Sequence, residues 1–174
     1  ADGVETVNAL NLAVENGATA VIGSVLTGAT IALADATYDI NMPQITASAT
    51  AAGVTMIDAD DPASEIRENV FRSCFIDPFQ GEKMADYSYN KLGAKTAAIL
   101  YETGNDYSEG LMNAFVEKAG ELGLEIVATE AFATGDKDYK AQITNIAAKT
   151  PDVVYAPVYY GEAGLAIQAA WNSP

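Results

Sequence analysis

The stretch Ala18-Thr19-Ala20-Val21-Ile22-Gly23-Ser24-Val25-Leu26-Thr27-Gly28-Ala29-Thr30 decides the fold. Ala18 to Ile22 reads as a buried strand, and the glycine and hydroxyl residues that follow read as a sharp turn into a helix. A helix start leaves backbone N–H groups without intrahelical partners and carries a partial positive charge, so it holds an anion. Thr27 is placed as the N-cap, with the amides of Gly28, Ala29 and Thr30 behind it. The spacing Gly23-x-x-x-x-Gly28-x-Thr30 imitates a phosphate-binding loop, but Ala29 stands where that loop needs its lysine, which argues against a nucleotide. A carboxylate is the better guest, because hydroxyls and amides hold one negative group without a lysine or a metal ion. A second short extended segment leads into the hydroxyl-rich turn Thr46-Ala47-Ser48-Ala49-Thr50, and the two turns together read as one wall of a small-molecule cleft. The plain alternative is an ordinary capped helix, since hydroxyl caps are common.

Outward from this stretch, helix and strand patterns alternate. Val4 to Glu15 reads as an amphipathic helix with Val4, Val7, Leu10 or Asn11, and Val14 on one face, Asp2 as a possible cap and Gly17 as its stop. A helix from about Gly28 to Asp39 ends before Pro43, and Gln44 to Thr46 is a short strand. Asn69 to Phe75 is β-prone, Asp77-Pro78 opens a helix to about Leu92, and Lys95 to Tyr101 is a strand. Asp106-Tyr107-Ser108-Glu109 fits a capping box for a helix ended by Gly123, and Leu124 to Phe132 is the next strand. Asp138 to Lys149 is amphipathic with Tyr139, Ile143, Ile146 and Ala147 inward, Val153 to Ala156 is a buried strand, and Gly161 to Trp171 starts a further helix. Such alternation predicts an α/β fold whose parallel sheet is covered on both faces.

Composition narrows the chemistry. With 174 residues, 49% of them hydrophobic and 19% charged, the chain is globular and has one or two domains. A formal charge of -15 disfavours nucleic acid and anionic membranes as partners. The chain has 0 histidines, which removes a Ser-His-Asp triad, a Cys-His dyad and a histidine zinc site. Cys74 is the single cysteine, so no intrachain disulfide forms, and beside Phe75 it reads as a buried structural thiol. Asp58, Asp60, Asp61 and Pro62 invite a calcium reading that fails, because Ala63 and Asn69 occupy the positions where an EF-hand loop needs glycine and glutamate. No cofactor and no metal is expected. No run approaches the length of a membrane span, and no signal segment opens the chain.

Ala20-Val21-Ile22-Gly23 into Thr27, Pro43 with Thr46 to Thr50, Phe71-Arg72 with Asp77, and Gln80-Gly81 stand in an order that resembles the type I periplasmic binding proteins. The likeness is to the branched-chain amino-acid-binding proteins of ABC transporters. Ala97-Ala98-Ile99-Leu100-Tyr101, Asp106-Tyr107-Ser108-Glu109-Gly110, Gly135-Asp136-Lys137-Asp138-Tyr139 and Asp152-Val153-Val154-Tyr155 continue it along the chain.

The resemblance implies two Rossmann-like lobes that close on a ligand, residues 1–74 belonging to the first and 75–174 to the second. It also implies an internal piece, since the family begins before Ala1 and continues past Pro174, where the acidic partner of the ligand ammonium would lie. Carried over, Thr27 binds the ligand carboxylate, Ser48 offers its carbonyl to the ammonium, and Thr50 offers amide and hydroxyl. Tyr107 and Tyr159 close over the ligand, with surface and packing roles as their plain alternatives, while Val25, Leu26 and Tyr160 shape the side-chain end of the pocket. Phe71-Arg72 and Asp77 organise the crossing between lobes.

The function so implied is that of the extracytoplasmic solute-binding component of an ABC importer, in the periplasm or as a cell-surface lipoprotein. Its ligand would be a small amino acid and its partners the permease subunits. The same fold also serves ligand-sensing modules of receptors and regulators. An enzyme using Glu102 with Asp106 or Glu109 is the weaker alternative, since capping explains those carboxylates.

Overall fold

The computed structural model describes residues 3–59, 61 and 63–171. Asp2, the possible cap of the first helix, and Asp60 and Pro62 of the acidic loop lie outside the described residues. The chain divides into two units, Ala1–Asp77 and Pro78–Pro174, each with its own parallel sheet.

In the first unit, α1 (Gly3–Glu15) packs on α2 (Thr27–Asp39). The apolar stripe of α1 sits differently from the expected one: Leu10 is buried with Leu33 and Met42, while Val4 and Val14 face solvent. One helix neighbour covers a narrower stripe than the sequence pattern offers. Strands β1 (Val21–Ile22), β2 (Gln44–Thr46) and β3 (Val70–Arg72) form a parallel sheet in that order. Residues aligned across a parallel sheet share a face. One face carries Gln44, Thr46 and Val70, all buried. The other carries Ile22, Ile45 and Phe71 in one register, at 88%, 41% and 56% exposure. The buried strand expected at Ala18 to Ile22 is therefore a two-residue edge strand, and this sheet is buried on one face among the described residues.

The second unit follows the doubly covered plan. Helix α3 (Asp77–Asp86) runs into a π turn at Tyr87–Lys91, then β4 (Thr96–Glu102), α4 (Asp106–Leu122), β5 (Glu125–Phe132), α5 (Lys140–Ala147), β6 (Val153–Tyr155) and α6 (Tyr160–Trp171) alternate. Strand order is β5-β4-β6, so β4 is central. Ala97 and Ile99 of β4 bury against Leu111, Phe115 and Ala119 of α4, whereas Ala98 and Leu100 bury against Tyr139, Ile143, Ile146 and Ala166. Alternate residues of one strand thus fill two separate cores. Tyr139, Ile143 and Ile146 are inward as expected, and Ala147 is exposed instead. Val154 of β6 is half exposed rather than buried, because β6 is an edge with β4 as its only strand neighbour among the described residues. Helix α4 ends at Gly123, whose φ of 76° is the left-handed region that favours glycine.

Candidate functional site

The two turns of the first unit are joined by hydrogen bonds, with their parts arranged differently from the expectation. Thr27 is not the N-cap of α2 but its first helical residue. Leu26 occupies the cap in extended conformation, and no side chain caps the helix. Leucine has no acceptor to offer, so the first amides of α2 receive nothing from a capping side chain. Thr30 instead donates its hydroxyl back to the Leu26 carbonyl at 2.8 Å. Thr27 is 2% exposed, Leu26 is half-buried, and Val25 projects into solvent.

The turn after β2 is tied to this helix start by its own hydroxyls. Thr46 Oγ1 donates to the Ser24 carbonyl at 2.8 Å, and Ser48 Oγ donates to the Val25 carbonyl at 2.8 Å. The same Thr46 oxygen accepts from the amides of Ser48 at 3.4 Å and Ala49 at 3.3 Å, closing a small hydroxyl-centred turn. Beneath it, Thr37 Oγ1 donates to Gln44 Oε1 at 2.7 Å, and Gln44 Nε2 donates to the Gly23 carbonyl at 3.1 Å. Ser48 therefore spends its side chain on the clamp, and Thr50 is buried with a hydroxyl that has no hydrogen-bond partner among the described residues. Sequence reading placed Thr27, Ser48 and Thr50 on one wall; it missed that Thr46 and Gln44 hold the wall together, although both lie in the quoted strand and turn.

The reverse side of the turn is held by the segment leaving β3. Arg72 Nη1 donates to the carbonyls of Ala51 at 2.7 Å and Ala49 at 3.4 Å, and Nη2 donates to Thr55 Oγ1 at 2.8 Å. Burial lowers the Arg72 pKa from its ordinary value, opposed by the neighbouring Cys74 and Asp77. Cys74 is half-buried rather than buried, with its thiol donating to the Ala49 carbonyl at 3.5 Å and Phe75 exposed beside it.

In the second unit, Tyr107 and Tyr159 come together. Their rings stack with centroids 4.9 Å apart and planes 5° from parallel, both half-buried. Tyr160, expected with Val25 and Leu26 to shape the side-chain end of the pocket, is 95% exposed. The cap of α4 is one residue earlier than the expected box: Asn105 Oδ1 accepts from the amides of Tyr107 at 3.1 Å and Ser108 at 3.3 Å, and Asp106 is the first helical residue. Glu109 does reach back, accepting from the Gly104 amide at 2.8 Å. Glu102 is buried, and its two oxygens accept from Asn105 Nδ2 at 2.7 Å and Thr134 Oγ1 at 2.5 Å. An acceptor-only carboxylate forces the Asn105 amide nitrogen toward itself and leaves Oδ1 to cap the helix beneath Tyr107. Both Glu102 oxygens are thus engaged, one holding the cap of α4 and the other the Thr134 hydroxyl. Among the described residues no group of three or more His, Cys, Asp or Glu side chains is arranged to hold a metal ion, and no helix is long and apolar enough to cross a membrane.

Comparison with known proteins supplies the context for these two surfaces. The family model described as periplasmic binding protein matches residues 2–172. Leu/Ile/Val-binding protein homolog 3 of Brucella melitensis is 32% identical over 91% of this chain and 41% of its own length. The Leu/Ile/Val-binding protein BraC3 of Rhizobium johnstonii is 33% identical, with the same 91% and 41% coverage. Among solved structures, the leucine binding protein LivK of Thermotoga maritima superposes with a TM-score of 0.87 at 33% identity, over 98% of this chain and 46% of that one. LivJ of Streptococcus pneumoniae, a branched-chain amino acid transporter substrate binding protein solved with isoleucine, gives a TM-score of 0.85 at 31% identity and the same coverage. The chain thus spans less than half the length of these relatives.

Proposed function

The chain belongs to the periplasmic binding protein family, and from that premise we propose that it supplies ligand-binding surfaces of a solute-binding component of an ABC importer that takes a small amino acid of the branched-chain type. Its units are parts of the two lobes of such a protein. The protein acts outside the cytoplasmic membrane, delivers to permease subunits, and performs no chemistry on its ligand.

The observation that carries this reading is the start of α2. A helix that begins with leucine at its cap forgoes about 1 kcal/mol that serine or threonine would supply there. The first amides are left for a carboxylate, with Thr27 beside them, and the clamped turn brings the Ser48 carbonyl and Thr50 to the same wall for the ammonium and carboxylate. The stacked Tyr107 and Tyr159 offer flat apolar faces suited to an aliphatic side chain. Glu102 and Glu109, the carboxylates of the weaker enzyme alternative, are engaged at the start of α4, which supports a binding role over an enzymatic one.

Thermal unfolding with L-leucine, L-isoleucine and L-valine tests the reading. Ligand at 100 times its Kd stabilises by about 2.7 kcal/mol. The shift should vanish in Thr27→Ala and Thr50→Ala and shrink in Tyr107→Ala. Equal melting of the wild-type chain with and without all three amino acids at millimolar concentration would sink the proposal.

A further inference from the structure

Three successive carbonyls behind the proposed ligand wall are held by one short segment. Arg72 binds those of Ala49 and Ala51, and the Asp77 amide binds that of Thr50 at 3.1 Å. Cys74 adds a second donor to the Ala49 carbonyl. A trans peptide group points its N–H opposite to its C=O. The carbonyl of Ala49 and the amide of Thr50 belong to the same peptide plane, so donors that pin the one toward Arg72 aim the other away from it.

We infer that Arg72 is a positioning residue for Thr50: its guanidinium fixes the Ala49–Thr50 peptide plane, and thereby directs the Thr50 amide to the ligand wall, and it fixes the Ala51–Ala52 plane as well, while the Asp77 amide holds the Thr50–Ala51 plane between them. The inference rests on the reading above for what Thr50 contacts, but not for how its turn is held. The guanidinium suits the task because it is planar, carries five donors and reaches three acceptors at once, with the Thr55 hydroxyl as the third. Lysine, a single flexible point charge, cannot fix two peptide planes and a hydroxyl together. Asp77, the last residue of the first unit, completes the set from the backbone, so the segment that leaves this unit also backs its ligand residue.

The test uses the 174-residue chain, labelled with nitrogen-15, as wild type, Arg72→Lys, Arg72→Met and the packing control Leu33→Ala. Leu33 is buried in a separate cluster with Leu10 and Met42. Without ligand, both Arg72 variants should move the amide resonances of Thr50 and Ala52, and Leu33→Ala should leave them in place while lowering the melting temperature. Titration with L-isoleucine should then show an affinity loss of about tenfold or more in Arg72→Lys. Unmoved resonances at Thr50 and Ala52, or an Arg72→Lys affinity equal to wild type, would overturn the inference. Should the wild-type chain not bind L-isoleucine, the functional reading fails, and the ligand-free resonances decide the role of Arg72 by themselves. Arg72→Lys keeps the charge and decides the matter if Arg72→Met fails to fold.

Discussion

The two sheets are assembled from similar parts and meet different surroundings. Each has three parallel strands, yet β4 and β5 run for 7 and 8 residues, whereas β1, β2 and β3 have 2, 3 and 3. In the second unit, both faces of the central strand are sealed by apolar side chains from helices. In the first, the covered face is partly polar, with Gln44 and Thr46 buried in it, and the opposite face leaves Ile22, Ile45 and Phe71 exposed. The second unit therefore draws its stability from packing, while the first depends more on hydrogen bonds that hold its turns. Those turns carry the proposed ligand wall.

The sharpest way to break this contrast lies in the packed unit. Phe115 is fully buried and its ring stacks on Tyr155 with centroids 4.2 Å apart. Phe115→Ala should cost about 3–5 kcal/mol in chemical denaturation. A loss below about 1 kcal/mol would mean that the core closes around the gap and is not the tightly packed element described. Next in size is Gly81→Ala. A Cβ at Gly81 would lie 2.7 Å from Ala114 Cβ, 2.7 Å from the Leu111 carbonyl oxygen and 3.0 Å from the Phe115 amide. Helices α3 and α4 touch at backbone distance there, and the added methyl should cost about 1–3 kcal/mol by forcing them apart. An unchanged denaturation midpoint would show that α3 shifts freely.

Asp152 offers a smaller, pH-dependent test in the same unit. Its carboxylate accepts from the Lys95 and Thr96 amides at 2.8 and 2.9 Å and from the Thr96 hydroxyl at 3.0 Å, tying the start of β4 to that of β6. The Lys95 amide bond first, then those from Thr96, lower its pKa below the ordinary 3.8. A carboxyl depressed in the folded state contributes stability above its unfolded pKa, and that contribution is lost as pH falls through the folded value. Asp152→Asn should lower the melting temperature at neutral pH, and the gap from wild type should close on acidification below about pH 4. A gap independent of pH would assign the effect to shape rather than charge.

The alternation of elements was legible because runs such as Ala97 to Leu100 and Val153 to Tyr155 are apolar and breaking residues such as Gly123 and Pro43 stand between elements. Of the candidate site, the meeting of the two turns was legible, since Thr46 and Ser48 reach the Ser24 and Val25 carbonyls, whereas the binding roles of Thr27, Ser48 and Thr50 rest on the resemblance alone. Tyr107 meets Tyr159 across 52 residues of sequence, which local pattern could not show. The caps of α2 and α4 were each placed one residue late: Asp106 beside Asn105 offers two competing side chains, whereas at Thr27 the hydroxyl pointed to a cap that the structure gives to Leu26, which has no capping group. Side-chain bonds across three or four residues accompany the observed caps: Glu102 orients Asn105, and Thr30 takes the Leu26 carbonyl. Arg72 reaches back 21 residues to Ala51, a span that no helical or strand period encodes.

The smallest effect is expected where the two sheets differ most. Ile22 would be core in a sheet covered on both faces, yet it is 88% exposed at the end of β1, immediately before the turn into the ligand wall. Ile22→Thr keeps the β-branched shape that suits a strand and removes apolar surface already in contact with water. The folded and unfolded states then lose nearly the same hydration penalty, and the denaturation free energy should move by no more than about 0.5 kcal/mol. The same exchange at Ile99, fully buried in β4, would strand a hydroxyl among Leu111, Phe115 and Tyr155 and cost far more. A loss at Ile22 approaching that at Ile99 would mean that the face shared by Ile22, Ile45 and Phe71 is covered in solution, and the contrast between the units would have to be redrawn.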